Sequence, residues 1–445
     1  NQCLIPIRQR LLMYRLQRLR CFSIGALTAF SLDRPQGFGR VDAQKKVLQC
    51  SEADGKGRDD FIVKAVIVTH RHGARTPTDQ LPGQPEPKQA EYEAMWGKCP
   101  VAPKLENYAW KFNGSSEVEA CKHGSLTAFG SQQLVGLGTY LRERYNPEPF
   151  SNGSGLTVRS TISPRAVLSA VSLLQGLYPA MTRDEAASLI ETRHLTARYG
   201  LDETMFGTAV IWAHPEAWSK NDTRVCPRLG EIVFEAIAKT YPERERALPI
   251  ATMIKQRANL GSEIESVKFS NGLADHLSCA SAQGASFPYG CTKEEHEILD
   301  AALHHCFVAA ADRFSTEGAL LSGGRLVADV DALVEAATSK TGSKNVSLHI
   351  LSGHDVSLTS LLVALGFPNE DPPSFGASIQ IELLQNMITQ QWQVRLVYFD
   401  SVPYSVDKHG KELLWIPLEA WKVLVEPALD VAQNWQVKCK AASSV

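Results

Sequence analysis

The chain has 445 residues, 44% of them hydrophobic and 21% charged, with a formal net charge of −2. This is ordinary globular usage, which excludes a collagen-like fibre, a wholly disordered chain and a polytopic membrane protein. The near-neutral charge provides no duplex-wide basic surface, so no nucleic-acid partner is expected.

At about 150 residues per domain, the length suits three domains or one large domain carrying an insert. Residues 1–55 are set apart as a leader. Arg8, Arg10, Arg15, Arg18 and Arg20 stand in an acid-free stretch, and the uncharged run Cys21–Leu32 follows. A basic segment before an apolar run has the form of a signal peptide or signal anchor, so a membrane anchor at the N-terminus is one expectation. An Arg-rich organellar presequence and a disordered leader are the rival readings. The run is shorter than the about 20 apolar residues that a membrane span needs.

The first strand is expected at Phe61–Thr69, a β-branched and nearly continuous apolar run that suits a strand covered on both faces. It ends in His70-Arg71-His72-Gly73-Ala74-Arg75-Thr76-Pro77, and a polar, proline-rich loop follows. Gly124-Ser125-Leu126-Thr127 opens a helix to Tyr145, with Leu134, Leu137 and Leu141 at helical spacing. A short strand at Leu156–Arg159 precedes a helix over Pro164–Tyr178. Residues 182–275 read as a mainly helical cap. Two helices follow, Lys293–Phe314 and Val327–Ser339, then a strand Val346–Leu351 ending in Ser352-Gly353-His354-Asp355. A helix to Leu365 stops at Gly366, and a hairpin pairs Ala377–Leu384 with Gln393–Asp400. The class is therefore α/β, with a mixed central sheet flanked by helices and an inserted, mainly helical cap. The catalytic core is assigned to 56–181 and 276–402, and 403–445 to a C-terminal extension.

Ten cysteines run from Cys3 to Cys439 without a Cys-x-x-Cys pair. That argues against a zinc ribbon or redox motif and permits a few disulfides in an oxidising compartment. Sequons at Asn113, Asn152, Asn221 and Asn345 point to a glycoprotein of the secretory pathway, in the Golgi, the lysosome or outside the cell. Cys279 and Cys291 flank a proline–glycine loop at a spacing open to a disulfide. His304, His305 and Cys306 are adjacent on a helix and point in different directions, which is poor geometry for zinc. Neither a metal nor a cofactor is expected.

Three charged clusters fall at strand ends, where ligands bind in open α/β sheets: Arg71-His72-x-x-Arg75, Arg159, and His354-Asp355. Guanidinium groups bind phosphate oxygens in pairs, and nearby positive charge keeps a histidine neutral and able to attack phosphorus. The leaving alcohol then needs a proton, which Asp355 can supply only when protonated, so an acidic working range is expected.

These residues resemble the histidine acid phosphatases, branch 2 of the histidine phosphatase superfamily. The block Arg71-His72-Gly73-Ala74-Arg75-Thr76-Pro77 is similar to that family's Arg-His-Gly-x-Arg-x-Pro signature. Val158-Arg159-Ser160-Thr161 is similar to its second arginine segment, and Ser352-Gly353-His354-Asp355 to its distal His-Asp pair. The resemblance implies His72 as the nucleophile of a phosphohistidine intermediate and Asp355 as the proton donor. It implies Arg71, Arg75, Arg159 and His354 as the phosphoryl-binding set. A phosphomonoester is the implied partner. Leu273-Ala274-Asp275-His276-Leu277-Ser278-Cys279 resembles a segment of the 2-phosphoxylose phosphatase branch, which implies a phosphosugar. Ala74 and Thr76 depart from that branch towards phytase-like and general acid phosphatases, so the substrate stays open. A mutase-like phosphotransferase and a silent phosphate-binding homologue are the rivals. Arg165 reads as a solvated helix residue and His70 as structural.

Overall fold

This computed structural model describes residues 60–78, 80–81, 94–100, 118–146, 155–161, 163–192, 226–229, 231–232, 241–261, 266–308, 316–339, 346–367, 372–400 and 410–440. The leader and the asparagines of all four sequons lie outside the described residues. Among those residues no helix is long and apolar enough to cross a membrane.

The strand signal after the leader forms β1 (Phe61–Arg71), which runs two residues further than its apolar stretch. It occupies the centre of a seven-stranded sheet. On one side it pairs in parallel with β6 (Ser347–Gly353), which in turn pairs in parallel with β4 (Leu156–Ser160). A short edge strand, β5 (Ile190–Thr192), completes that half, again in parallel. On the other side β1 pairs antiparallel with β7 (Ser378–Asn386), followed by β8 (Trp392–Phe399) and β9 (Lys411–Pro417). The sheet is mixed, as expected. A two-stranded ribbon, β2 (Lys98–Pro100) with β3 (Val118–Ala120), stands apart.

Both faces of the sheet are covered, which explains why β1 lacks polar alternation. Ala65 and Ile67 enter a core shared with α7 (Thr316–Ser339), α8 (Asp355–Ala364) and α9 (Leu418–Gln433). Val66 and Val68 enter the opposite core, built with α1 (Ala128–Tyr145), α2 (Pro164–Leu177) and α3 (Arg183–Ser188). Two helix ends follow the local chemistry that the sequence carries. Thr127 caps α1 by accepting a hydrogen bond from the Gly130 amide at 3.1 Å. Gly366, at φ 86°, terminates α8 in the left-handed conformation that glycine adopts without a Cβ clash.

α4 (Tyr241–Arg257), α5 (Ser266–Gln283) and α6 (Lys293–Val308) gather around their own apolar cluster, including Leu81, Ile254, Leu273, Leu277 and Leu299. Three sequence boundaries differ from this arrangement. β5 lies inside the span assigned to the cap yet extends the main sheet. The helical cluster continues past residue 275 through α6. The supposed C-terminal extension supplies β9 and the core-filling Trp421, Leu424 and Val425 of α9, which seals the sheet against α7. The Trp421 indole donates to Asp331 of α7 at 2.9 Å.

Two disulfides are present, as the cysteine usage permits, although neither joins Cys279 to Cys291. Cys99 pairs with Cys121 across the ribbon, and Cys226 pairs with Cys439 at a separation of 213 residues. Cys279 and Cys291 are buried, reduced and apart from any bridge, because the Cys279 thiol faces Arg75 while Cys291 packs in the helical cluster. A tie across so long a loop restricts the unfolded chain strongly. Cys439→Ala is therefore expected to lower the unfolding free energy by about 2–5 kcal/mol, read by denaturant titration. An unchanged midpoint would show that the Cys226–Cys439 tie carries no stability.

Candidate active site

The three parallel strands β4, β6 and β1 end side by side. Register pairs His70 with Ser352, Arg71 with Gly353 and Ser160 with Ser352. The backbone beyond β1 is held from both sides: the His72 amide donates to the Gly353 carbonyl at 3.0 Å, and the Gly376 amide donates to the His72 carbonyl at 3.1 Å. Gly73 lies directly on α1, where a Cβ would overlap the Gly130 carbonyl. The loop amides are already committed, Gly73 N–H to Ser169 Oγ at 3.1 Å and Ala74 N–H to Gln133 Oε1 at 2.8 Å. The side chains of this loop are thus aimed by a fixed backbone.

His72 is 2% exposed. Its Nδ1 lies 2.9 Å from the Gly73 carbonyl oxygen, which can only accept, so Nδ1 carries the proton and Nε2 keeps its lone pair. Burial pushes the His72 pKa well below its ordinary value, and Arg165, His354, Arg71 and Arg75 push the same way. His354 is lowered to about 3 by burial and by Arg165 in particular, and its Nε2 meets Thr161 Oγ1 at 3.1 Å. The two imidazole rings stand edge to face with centroids 5.4 Å apart. Burial and the arginines thus favour the neutral form of both rings.

Three arginines surround them. Arg71 pairs through Nη2 with Asp355 Oδ2 at 3.0 Å, donates through Nη1 to the Pro373 carbonyl at 2.5 Å, and stacks 3.9 Å over the Phe375 ring. Arg75 is bound by Asp275, whose carboxylate takes both of its terminal nitrogens. Arg165, the second residue of α2, makes no hydrogen bond or ion pair to a described residue, and its buried Nε has no partner. Burial and the neighbouring Arg75 lower it to about 10. An uncommitted guanidinium beside two neutral histidines, at the start of a helix, is a site for an anion.

Asp355 opens α8 with its side chain 29% exposed. Burial pushes its carboxyl up, but Arg71, His354, the Val356 amide and Arg75 outweigh that and hold it below its usual value. It is an ionised partner of Arg71.

His72, Arg71, Arg75, His354 and Asp355 come together as the sequence implies, whereas Arg159 does not. Strand alternation carries Arg159 to the face opposite Val158, where its Nε lies 3.5 Å from Glu191 of β5. Arg165 stands beside the two histidines instead, so it is not the solvated helix residue that the sequence suggests. A signal was present in the sequence: a cation in the first turn opposes the helix dipole, so an arginine following the Ser163-Pro164 helix start calls for an anion. His70 is buried beside the site with Nδ1 donating to the Arg71 carbonyl at 3.0 Å, and burial lowers it to about 4. Asp275 lies in the segment that resembles the 2-phosphoxylose branch, but nothing local tied it to Arg75. The side chains of His304, His305 and Cys306 lie outside the described residues.

A family model described as the histidine phosphatase superfamily (branch 2) matches residues 62–228, a span containing His72, Arg75 and Arg165. Lysophosphatidic acid phosphatase type 6 of Homo sapiens is 24% identical over 399 residues, 82% of this chain and 82% of its own. Prostatic acid phosphatase of Rattus norvegicus is 23% identical over 395 residues, covering 86% of this chain and 90% of its own. The apo phytase of Hafnia alvei shares the fold, with a TM-score of 0.52 at 13% identity over 88% of this chain and 100% of that one.

Proposed function

The chain belongs to branch 2 of the histidine phosphatase superfamily, and on that premise we propose that it is an acid phosphatase hydrolysing phosphate monoesters through a phosphohistidine on His72. The observation that carries this reading is the neutral His72, with Nδ1–H held by the Gly73 carbonyl and a free Nε2 among three arginines. Arg165, Arg71 and Arg75 bind the phosphoryl oxygens, and His354 donates a further hydrogen bond. The Nε2 lone pair forms the N–P bond as the P–O bond to the alcohol breaks, and the departing oxygen takes the proton of Asp355. Water then attacks the phosphohistidine and gives its proton to the Asp355 carboxylate. Inorganic phosphate leaves with His72 neutral again.

The pH dependence follows from these states. The His72 pKa is held well below its ordinary value, which carries protonation of the nucleophile towards lower pH. Asp355 must carry a proton, and Arg71 holds its carboxyl low, so turnover falls as pH rises. A bound phosphoryl group adds negative charge near Arg71, which raises Asp355 towards protonation. Hydrolysis of an aryl phosphate from about pH 4 to 8 is therefore expected to favour acid, with the alkaline limb of kcat lying above that of kcat/KM. Coincident limbs would count against Asp355 as the donor. Alkaline quench of the wild type in denaturant with labelled substrate should leave alkali-stable, acid-labile phosphate on His72, and its absence would count against the intermediate.

The finer substrate reading is a phosphosugar of the 2-phosphoxylose kind. The Leu273–Cys279 segment supports it, since Asp275 and Cys279 of that segment contact Arg75. The relatives' names supply a second substrate, a lysophosphatidic acid. A panel of phosphoxylosides and lysophosphatidic acid, compared by kcat/KM, separates the two. The disulfides support residence in an oxidising secretory compartment, and the Arg-rich leader supports delivery there, with anchorage to the membrane as the further step.

A further inference from the structure

Asp275 presents a fork to a fork. Its Oδ1 accepts from Arg75 Nη2 at 2.6 Å and its Oδ2 from Arg75 Nη1 at 3.2 Å. The same Oδ2 takes two more hydrogen bonds from Thr78, the amide at 2.9 Å and the hydroxyl at 3.1 Å. One carboxylate thus grips both the arginine and the loop that follows it. The helix carrying Asp275 also reaches this loop through Gln283, whose Nε2 donates to the Arg75 carbonyl at 3.3 Å. Its neighbours Leu273, Ala274 and Leu277 belong to the apolar cluster of α4, α5 and α6.

A carboxylate beside an anion site weakens anion affinity, because it offsets one of three cationic charges at short range. Ground-state affinity therefore cannot be what Asp275 supplies. Geometry can. Arg75 also donates to the Thr76 carbonyl at 3.0 Å, and with Asp275 this leaves Nε–H and the second Nη2–H as the donors still open to an anion. Both face a direction set by the fork. Burial raises the Asp275 carboxyl, but Arg75 outweighs it and holds the pKa at about 2, so the fork is intact throughout the acid range.

We propose that Asp275 is a positioning residue of the phosphoryl site, which aims Arg75 at the bound anion and fastens cap helix α5 to the loop after β1. The proposal rests on the phosphatase reading above. Asp275→Asn keeps the shape but turns an amide nitrogen towards one of the arginine nitrogens. We expect kcat for an aryl phosphate to fall on the order of 100-fold, as for a misplacement of about 1 Å at the reacting centre. The inhibition constant of inorganic phosphate should change by less than about threefold or tighten, since a neighbouring negative charge is lost. In an Arg75→Ala background, Asp275→Asn should change kcat by less than about twofold, because its effect passes through Arg75. Wild-type kcat in Asp275→Asn, or losses that multiply in the double variant, would overturn the proposal. If Asp275→Asn fails to fold, Asp275→Glu keeps the charge on a longer stem, and an unchanged kcat there overturns it equally. A wild-type chain without turnover removes the phosphatase reading and the proposal together. An active wild type beside an unaffected Asp275→Asn removes the proposal alone.

Discussion

His72→Ala is expected to lower kcat for an aryl phosphate by about 10,000-fold or more, because no other neutral nitrogen with a free lone pair is aimed by a fixed backbone at the same point. His354 is neutral as well, but its Nε2 is engaged with Thr161 and its role is that of a donor. The measurement is steady-state turnover near pH 5, with thermal unfolding and phosphate binding as controls for the fold. Because His72 is 2% exposed, its removal leaves a cavity lined by arginines and Phe375. Added imidazole should enter that cavity and restore part of the rate, which separates a lost nucleophile from a disturbed loop. Turnover at the wild-type rate in His72→Ala would sink the mechanism.

The second large effect separates two arginines six positions apart. Arg165→Ala should lower kcat/KM by about 1,000-fold, the scale on which a guanidinium stabilises a phosphoryl transition state. Arg159→Ala should stay within about threefold, because its partner is the half-exposed Glu191 on an edge strand and such pairs contribute little. Arg165→Lys should recover only part of the loss, since an ammonium cannot present two parallel donors. Equal losses at the two positions would return Arg159 to the phosphoryl-binding set, and a silent Arg165→Ala would leave the anion to Arg71 and Arg75.

Reading strands and motifs along the chain brought out most of the fold, because β1, β6, α1 and α8 each combine a strong apolar period with an explicit start or stop. β5 and β9 were not legible in the same way. Ile190–Thr192 is three residues long, and Lys411–Pro417 lies on the sheet's edge with only part of one face buried, so neither needs a sustained apolar run. The disulfides were illegible for a different reason. Cys226 and Cys439 are far apart in sequence, and only the packing of α9 against α7 brings the chain's end to the segment carrying Cys226.

The sequence by itself determined the mixed α/β class, the strand-end position of Arg71, His72, Arg75, His354 and Asp355, and the chemistry those residues share. Local physics suffices there, because a charged cluster directly after a buried strand must emerge at the sheet's edge. Tertiary structure decided which later arginine joins them, with only the first-turn position of Arg165 as a local hint. Pleat alternation turned Arg159 to Glu191, while the first turn of α2 carried Arg165 inward to an anion site. It alone also decided that Asp275 grips Arg75, a pair separated by 200 residues and joined by the packing of α5 on the loop after β1.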